Sequence, residues 1–336
     1  MALESLIDTY GYPAILAGTF LEGETILILG GLSIYTSHML FPLCLTYNAN
    51  FPILTHEKTM PYHIKGEMIM TIATDPYSGL QMVELSHKWG HGVPSYPGQD
   101  DVKMFRAVKH AQHGVLALKI NTVMHTGTHM NAPLHMIQRG ADLAEISEDR
   151  FFGNGVVLSI PKKSYEVITA KDLETAAPEV QQGDIVVIVT GWHHKYSDAL
   201  EYYGESPGLS KDAAEWLVKK ECKLVAVDTQ QIDHPLATSL GPHRGGPTMK
   251  RLAGEYQEAT GLDPKKEHGE WNVAHKTLLG AGIPTIEQVG GDVDVLLGKR
   301  ATFAATPWKF KYGDACPVRF IAMTDPSGKC RIDPGN

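Results

Sequence analysis

Residues 125–135 read HTGTHMNAPLH and place three histidines, His125, His129 and His135, in one short stretch. Imidazole nitrogens together with carboxylate or amide oxygens are the donors that hold zinc and similar ions, and a catalytic site of this kind keeps one position open for water. His125 and His129 are four apart, which would put two rings on one face of a helix. Gly127, Asn131 and Pro133 argue against a continuous helix, so the loop itself must fold round any ion. Thr126, Gly127 and Thr128 are small enough to permit a close wrap, and Pro133 stiffens the exit. Two histidines and the Asn131 oxygen would make three ligands, leaving His135 as a further ligand or as the group that moves protons. On spacing alone, a histidine-rich surface loop with no metal stays open as the alternative.

The elements that must position this loop are those of an α/β protein. GVLALKINTVM (114–124) alternates like a strand leading into it. GNGVVLSI (153–160) and GDIVVIVTGW (183–192) are β-branched runs edged by glycine, and KLVAVDT (223–229) predicts another buried strand. Between the last two, SKDAAEWLVKKE (210–221) predicts an amphipathic helix with Ser210 as its N-cap and Ala213, Ala214, Leu217 and Val218 on its buried face. A helix and a strand follow over 274–289, and ACPVRFIAMT (315–324) is expected as one closing strand. No repeat is present, and one domain is expected over 81–330.

Composition bounds the function. Of 336 residues, 43% are hydrophobic and 20% charged, the balance of a soluble globular protein with a sizeable core. A net charge of -8 and the lack of any Lys/Arg run exclude a general nucleic-acid binder. Cys44, Cys222, Cys316 and Cys330 are scattered with no CxxC pair, as expected for reduced thiols in a cytoplasmic protein. Residues 11–35 are mostly apolar, but Glu22 and Glu24 sit badly in a simple spanning helix. YGYPAILAGTFLEGETILILGG (10–31), and the chain on to LFPLCL (40–45), is similar to the amino-terminal stretch of DedA-family membrane proteins. Residues 1–45 are therefore read as an apolar remnant, 46–80 as an irregular linker, and membrane association through 1–45 as an alternative to a cytoplasmic enzyme.

HTGTHMNAPLH resembles the HxGTHxDxPxH signature of the cyclase family, which includes bacterial kynurenine formamidases and isatin hydrolase. ELSHKWGHGVPSYPG (84–98), GDIVVIVTGW, KLVAVDTQQID (223–233) and AHKTLLGAGIPTIEQV (274–289) are similar to further family segments in the same order. The resemblance implies an α/β fold of the swivelling β/β/α type, usually a homodimer or higher assembly. It also implies metal-dependent hydrolysis of a small amide, lactam or lactone without an organic cofactor. It makes His125 and His129 metal ligands, and His135 the histidine acting beside the metal. His275 and Glu287 fall at positions that serve a second metal and catalysis.

Asn131 stands where the family has a metal-binding Asp. An Asn offers one neutral carbonyl oxygen where Asp could bridge two ions, so a single-ion site is expected, with Zn²⁺ favoured and Mn²⁺ the alternative. A catalytically impaired metal- or ligand-binding member is the competing reading. The segment 233–272 is long for a connection inside a compact domain, which suggests a lid or binding loop. Within it GPHRGGP (241–247) offers Arg244 as a fork for a substrate carboxylate, with His243 beside it. Trp192, with His193 and His194, is a further candidate for the pocket wall. Asp233 is either a support for the site or a turn residue.

Overall fold

The computed structural model describes residues 72–244 and 246–328. The DedA-like stretch 1–45 and residues 46–71 of the expected linker lie outside the described residues. The strands in chain order are β1 (Ala73–Thr74), β2 (Gln81–Glu84), β3 (Lys103–Val108), β4 (Ala117–Asn121), β5 (His129–Asn131), β6 (Phe152–Ser159) and β7 (Val167–Ile168). They continue with β8 (Ile185–Val189), β9 (Gly208–Leu209), β10 (Leu224–Val227), β11 (Thr285–Glu287), β12 (Lys299–Ala304), β13 (Ala315–Pro317) and β14 (Ile321–Thr324). Four helices matter below: α1 (Ala170–Thr175), α2 (Lys211–Lys219), α3 (Leu252–Thr260) and α4 (Val273–Gly280). The sheet thus takes in Ala73–Thr74, part of the stretch read as linker.

Among the described residues the main sheet has ten strands in the order β1-β2-β14-β12-β6-β8-β10-β11-β5-β13. Its centre, β6-β8-β10-β11, is parallel, and both flanks are antiparallel. Parallel strands covered on both faces read as continuous apolar runs, and IVVIV of β8 is buried at all five positions. Side chains alternate between two cores. Val156, Leu158, Val186, Ile188, Val225 and Val227 face Ala213, Ala214 and Leu217 of α2 and Leu278 of α4. Val157, Ile185, Val187, Leu224 and Ala226 face the other way, onto Ile286, Phe303 and Phe320. Gly155 in β6 is required by the sheet: a Cβ there would stand 1.9 Å from the Ile185 carbonyl oxygen.

Residues 315–324 are not one strand. Pro317 cannot donate to a ladder, and the chain leaves β13 there, at one end of the sheet, to re-enter as β14 between β2 and β12. Seven strand spacings laid flat would be about 34 Å. The links from Pro317 through Val318, Arg319 and Phe320 to Ile321 reach at most roughly 14 Å. The sheet must therefore curl until its flanks meet. Hydrogen bonds stitch the meeting: Val318 N–H to the Thr128 carbonyl (3.0 Å) and Leu85 N–H to the Phe320 carbonyl (2.8 Å).

Two further expectations take definite form. The run 114–124 does contain a strand, β4, but it pairs only with β3 in a separate hairpin and every one of its side chains is exposed. Alternating hydrophobicity there marks a projecting arm and not the core. The segment 233–272, expected as a lid or binding loop, has a packed base: Leu236, Leu240, Leu252 and Tyr256 pack with Tyr202 and Tyr203 in a third core cluster. Trp192 belongs to this cluster, 1% exposed, its indole N–H donating to the Tyr202 carbonyl at 3.0 Å. Among the described residues no helix is long and apolar enough to cross a membrane.

Candidate metal centre

The histidine loop is pinned before it reaches β5. Gly127 takes φ 66°, and a Cβ there would meet the Trp89 ring at 2.8 Å, so only glycine permits the turn. Trp89 Nε1–H donates to the Thr126 carbonyl, and the Thr128 hydroxyl donates to the Gln288 carbonyl while accepting the His87 N–H. β5 then pairs with β11 on one side and β13 on the other, which sets Glu287 opposite His129 and Thr285 opposite Asn131. Sheet register is what brings the two distant sequence segments together.

His129 is buried and its Nδ1–H donates to the Gly127 carbonyl at 2.8 Å, so its Nε2 carries the free lone pair. That Nε2 lies 3.1 Å from Glu287 Oε2 without a hydrogen bond between them. Asn131 is fully buried; its amide N–H₂ approaches Thr285 Oγ1 (3.2 Å) and His275 Nε2 (3.4 Å), and its carbonyl oxygen has no partner. Two buried donors without partners beside a buried carboxylate are costly on their own. A cation between His129 Nε2 and Glu287 would satisfy both, and bonds of about 2.1 Å at tetrahedral angles place neighbouring ligands roughly 3.4 Å apart, near the 3.1 Å His129–Glu287 separation.

His275 sits on α4 between two carboxylates. Its Nδ1 is 2.6 Å from Asp233 Oδ2 and its Nε2 is 2.9 Å from Glu287 Oε1. Asp233 is itself fixed by the Ala274 and His275 backbone N–H groups, so it serves the site and is no mere turn residue. Burial alone would lower the His275 pKa, but Glu287 and Asp233 outweigh it and raise it to about 10. Burial would likewise raise Glu287, yet His275 and His129 hold it well below the usual carboxylate range. Glu287 Oε1 also accepts the Ile232 N–H at 2.8 Å.

His125 and His135 turn toward a residue that the sequence did not single out. Asp314, just before β13, lies 2.9 Å from His125 Nε2 and 3.5 Å from His135 Nδ1. Ligand atoms of these three residues all lie within 4.8 Å of one another, a grouping able to hold a metal ion. Hydrogen bonds from His125 and then His135 hold the Asp314 carboxyl far below its usual value. Burial lowers the His135 pKa to about 4 despite Asp314, so its ring is neutral near pH 7. Asp314 lies 189 residues from His125 in sequence, and no local motif announces it.

These residues line a cleft of about 320 Å³ that contains His125, His129, His135, His275, Glu287 and Arg244. Arg244 comes from the 233–272 segment with its guanidinium 3.4 Å above the Trp271 ring. Tyr96, Gln230, Gln231 and Trp271 also face the cleft and were not anticipated. Trp192, buried in the third cluster, is not in its wall, nor are His193 and His194. His243 is outside it as well; its Nε2 meets the His268 carbonyl at 2.8 Å, which fixes the turn that presents Arg244.

Comparison with known proteins gives the relatives of this chain. The family described as Cyclase matches residues 83–234. A kynurenine formamidase of Erythrobacter litoralis is 24% identical over 162 residues, 48% of this chain and 71% of that protein. An uncharacterized protein of Haemophilus influenzae is 33% identical over 95 residues, 28% of this chain and 67% of that protein. The structure of isatin hydrolase A from Ralstonia solanacearum superposes with a TM-score of 0.57 at 20% identity, covering 73% of this chain and 92% of that one.

Proposed function

Because this chain belongs to the cyclase family, we propose that it is a metal-dependent hydrolase cleaving a small amide, lactam or lactone. The observation that carries this reading is a pair of buried lone-pair atoms without hydrogen-bond partners on one strand, His129 Nε2 beside Glu287 in the cleft wall and Asn131 Oδ1 two residues on. His125, His129 and Asn131 would hold the ion, with Glu287, 3.1 Å from His129 Nε2, as a further oxygen. Asp314, just before β13 and 2.9 Å from His125, would supply negative charge that Asn131 lacks. Zn²⁺ suits this nitrogen-rich group, with Mn²⁺ the alternative. A bound divalent ion would polarise the scissile carbonyl and make water more acidic.

The protein residues supply the rest. His135 lines the cleft with its ring 5.6 Å from that of His275, and it takes the proton of the attacking water and returns it to the leaving nitrogen or oxygen. Asp233 fixes His275, and His275 in turn orients the Glu287 carboxylate. Arg244, braced on Trp271, faces the cleft where a substrate carboxylate would be clamped. A panel of N-formyl aromatic amines, isatin-like lactams and lactones tests the activity. Hydrolysis of one class that chelation abolishes and Zn²⁺ or Mn²⁺ restores is the expected result. Full activity after complete chelation would overturn the proposal.

Asn131 favours one second reading, a binding protein of the same fold with impaired chemistry. Tight metal without turnover on any of the three classes, with turnover appearing in Asn131→Asp, would establish it. For assembly we propose a homodimer or higher homo-oligomer, supported by the β3–β4 arm, which exposes Phe105, Leu116, Leu118 and Ile120.

A further inference from the structure

A second group of donors lies away from the cleft, where the turn after β8 meets the turn after β11. His193 and His194 occupy the first of these, a 3-10 turn over Trp192–Lys195, and Asp294 the second, over Val293–Leu296. His193 Nε2 is 3.3 Å from Asp294 Oδ1, and His194 Nε2 is 3.3 Å from Asp294 Oδ2. The two rings lie 4.0 Å apart, centroid to centroid. We propose that His193, His194 and Asp294 form a second divalent-metal site, of the Zn²⁺ type, that clips these two turns together.

Three observations carry the assignment. First, His193 is set up as a ligand. Its side chain is only 5% exposed, and its Nδ1–H donates to the fully buried Asp228 at 3.0 Å, leaving the Nε2 lone pair toward Asp294. A carboxylate behind a histidine in this manner fixes the tautomer and raises the basicity of the other nitrogen. Asp228 is itself anchored by the Thr190 N–H and hydroxyl and by the Gly191 N–H, so the ring cannot easily turn away. Second, His193 Nε2 is buried and makes no hydrogen bond, although Asp294 is close. Third, one ligand atom from each of the three residues lies within 4.8 Å of the other two, and each imidazole nitrogen is 3.3 Å from one of the two Asp294 oxygens. His194 is 64% exposed and Asp294 32%, so the remaining position faces water, and the ion would exchange with solvent.

An imidazolium pair bridged by Asp294 without any ion is the competing explanation, and metal counting separates the two. His194 and Asp294 are exposed enough to change without disturbing the core, so the test uses the full chain with His194→Ala and Asp294→Ala together. Stripped protein is reloaded with Co²⁺, desalted and assayed for ions per chain and for visible absorption. The double variant is expected to lose one ion per chain and its tetrahedral Co²⁺ bands while keeping the wild-type turnover. A His129→Ala, Glu287→Gln protein, altered only in the cleft, is expected to keep that same ion and lose it when the two outer substitutions are added. An unchanged ion count and spectrum on His194→Ala, Asp294→Ala would overturn the proposal, whatever the cleft binds.

Discussion

At the scale of single residues, the site rests on a division of labour between neutral and charged oxygens. Asn131 would contribute a neutral carbonyl at a place where the signature it resembles carries an acid, while Glu287 on β11 and Asp314 just before β13 bring charge to either side of β5. Restoring the acid with Asn131→Asp should raise the number or affinity of bound ions by about tenfold or more, as changes to a ligand set do; equilibrium dialysis with Zn²⁺ measures it. His129→Ala should lower metal content and hydrolysis together, the latter by at least about 100-fold. Unchanged metal content in that variant would count against the ligand assignment. Asp233→Asn keeps one oxygen for a backbone N–H but loses the second acceptor and the charge behind His275. It should weaken metal binding by roughly 10- to 100-fold. Cys222, by contrast, is a core residue: burial pushes its thiol up to about 12, so it should react with thiol reagents at pH 8 only after unfolding.

At the scale of elements, periodicity and capping were legible in the chain, and pairing was not. The helix expected over 210–221 forms as α2 with the Ser210 hydroxyl accepting the Ala213 N–H, and Ala213, Ala214 and Leu217 are buried as its spacing requires. Leu217→Ala should cost about 2–5 kcal/mol by leaving a cavity, and Ser210→Ala about 1 kcal/mol by removing the cap; urea titration checks both. The histidine loop stands out in the chain because its imidazoles lie within eleven residues of one another. Asp314 was not, because only the β5–β13 pairing carries it to His125, and nothing in a sequence states which strands become neighbours. β4 forms where the alternation places a strand, but alternation cannot say whether a core or another molecule covers its apolar side chains. α1 gives a pH test. Burial alone would raise the Asp172 pKa, but Lys162 and the N–H and hydroxyl of Thr169 lower it. A carboxyl whose folded pKa is depressed stabilises above its unfolded value near 3.9 and stops doing so as pH falls through the folded one. The stability gap between wild type and Asp172→Asn should therefore close as the pH drops below about 4.

At the scale of the whole molecule, one feature looks outward and one looks inward. The β3–β4 arm is the outward surface on which the assembly proposal rests, and Leu118→Lys with Ile120→Lys should shift the mass measured by light scattering toward that of a single chain. An unchanged mass would remove the arm from that role. The closed sheet looks inward, and its consequence concerns the order of events when the chain is made. Ser86, just after β2, hydrogen-bonds to the carbonyl of Val318, 232 residues later. During synthesis β2 therefore emerges long before β14, its neighbour in the sheet, and must wait with that edge bare. The segment that finally arrives does two things at once: β14 zips the flanks together, and β13 swings Asp314 against His125 and His135. Such long-range pairing is slow to find, so ion capture by the cleft should be timed by the last strands and not by the histidine loop that would hold the ion.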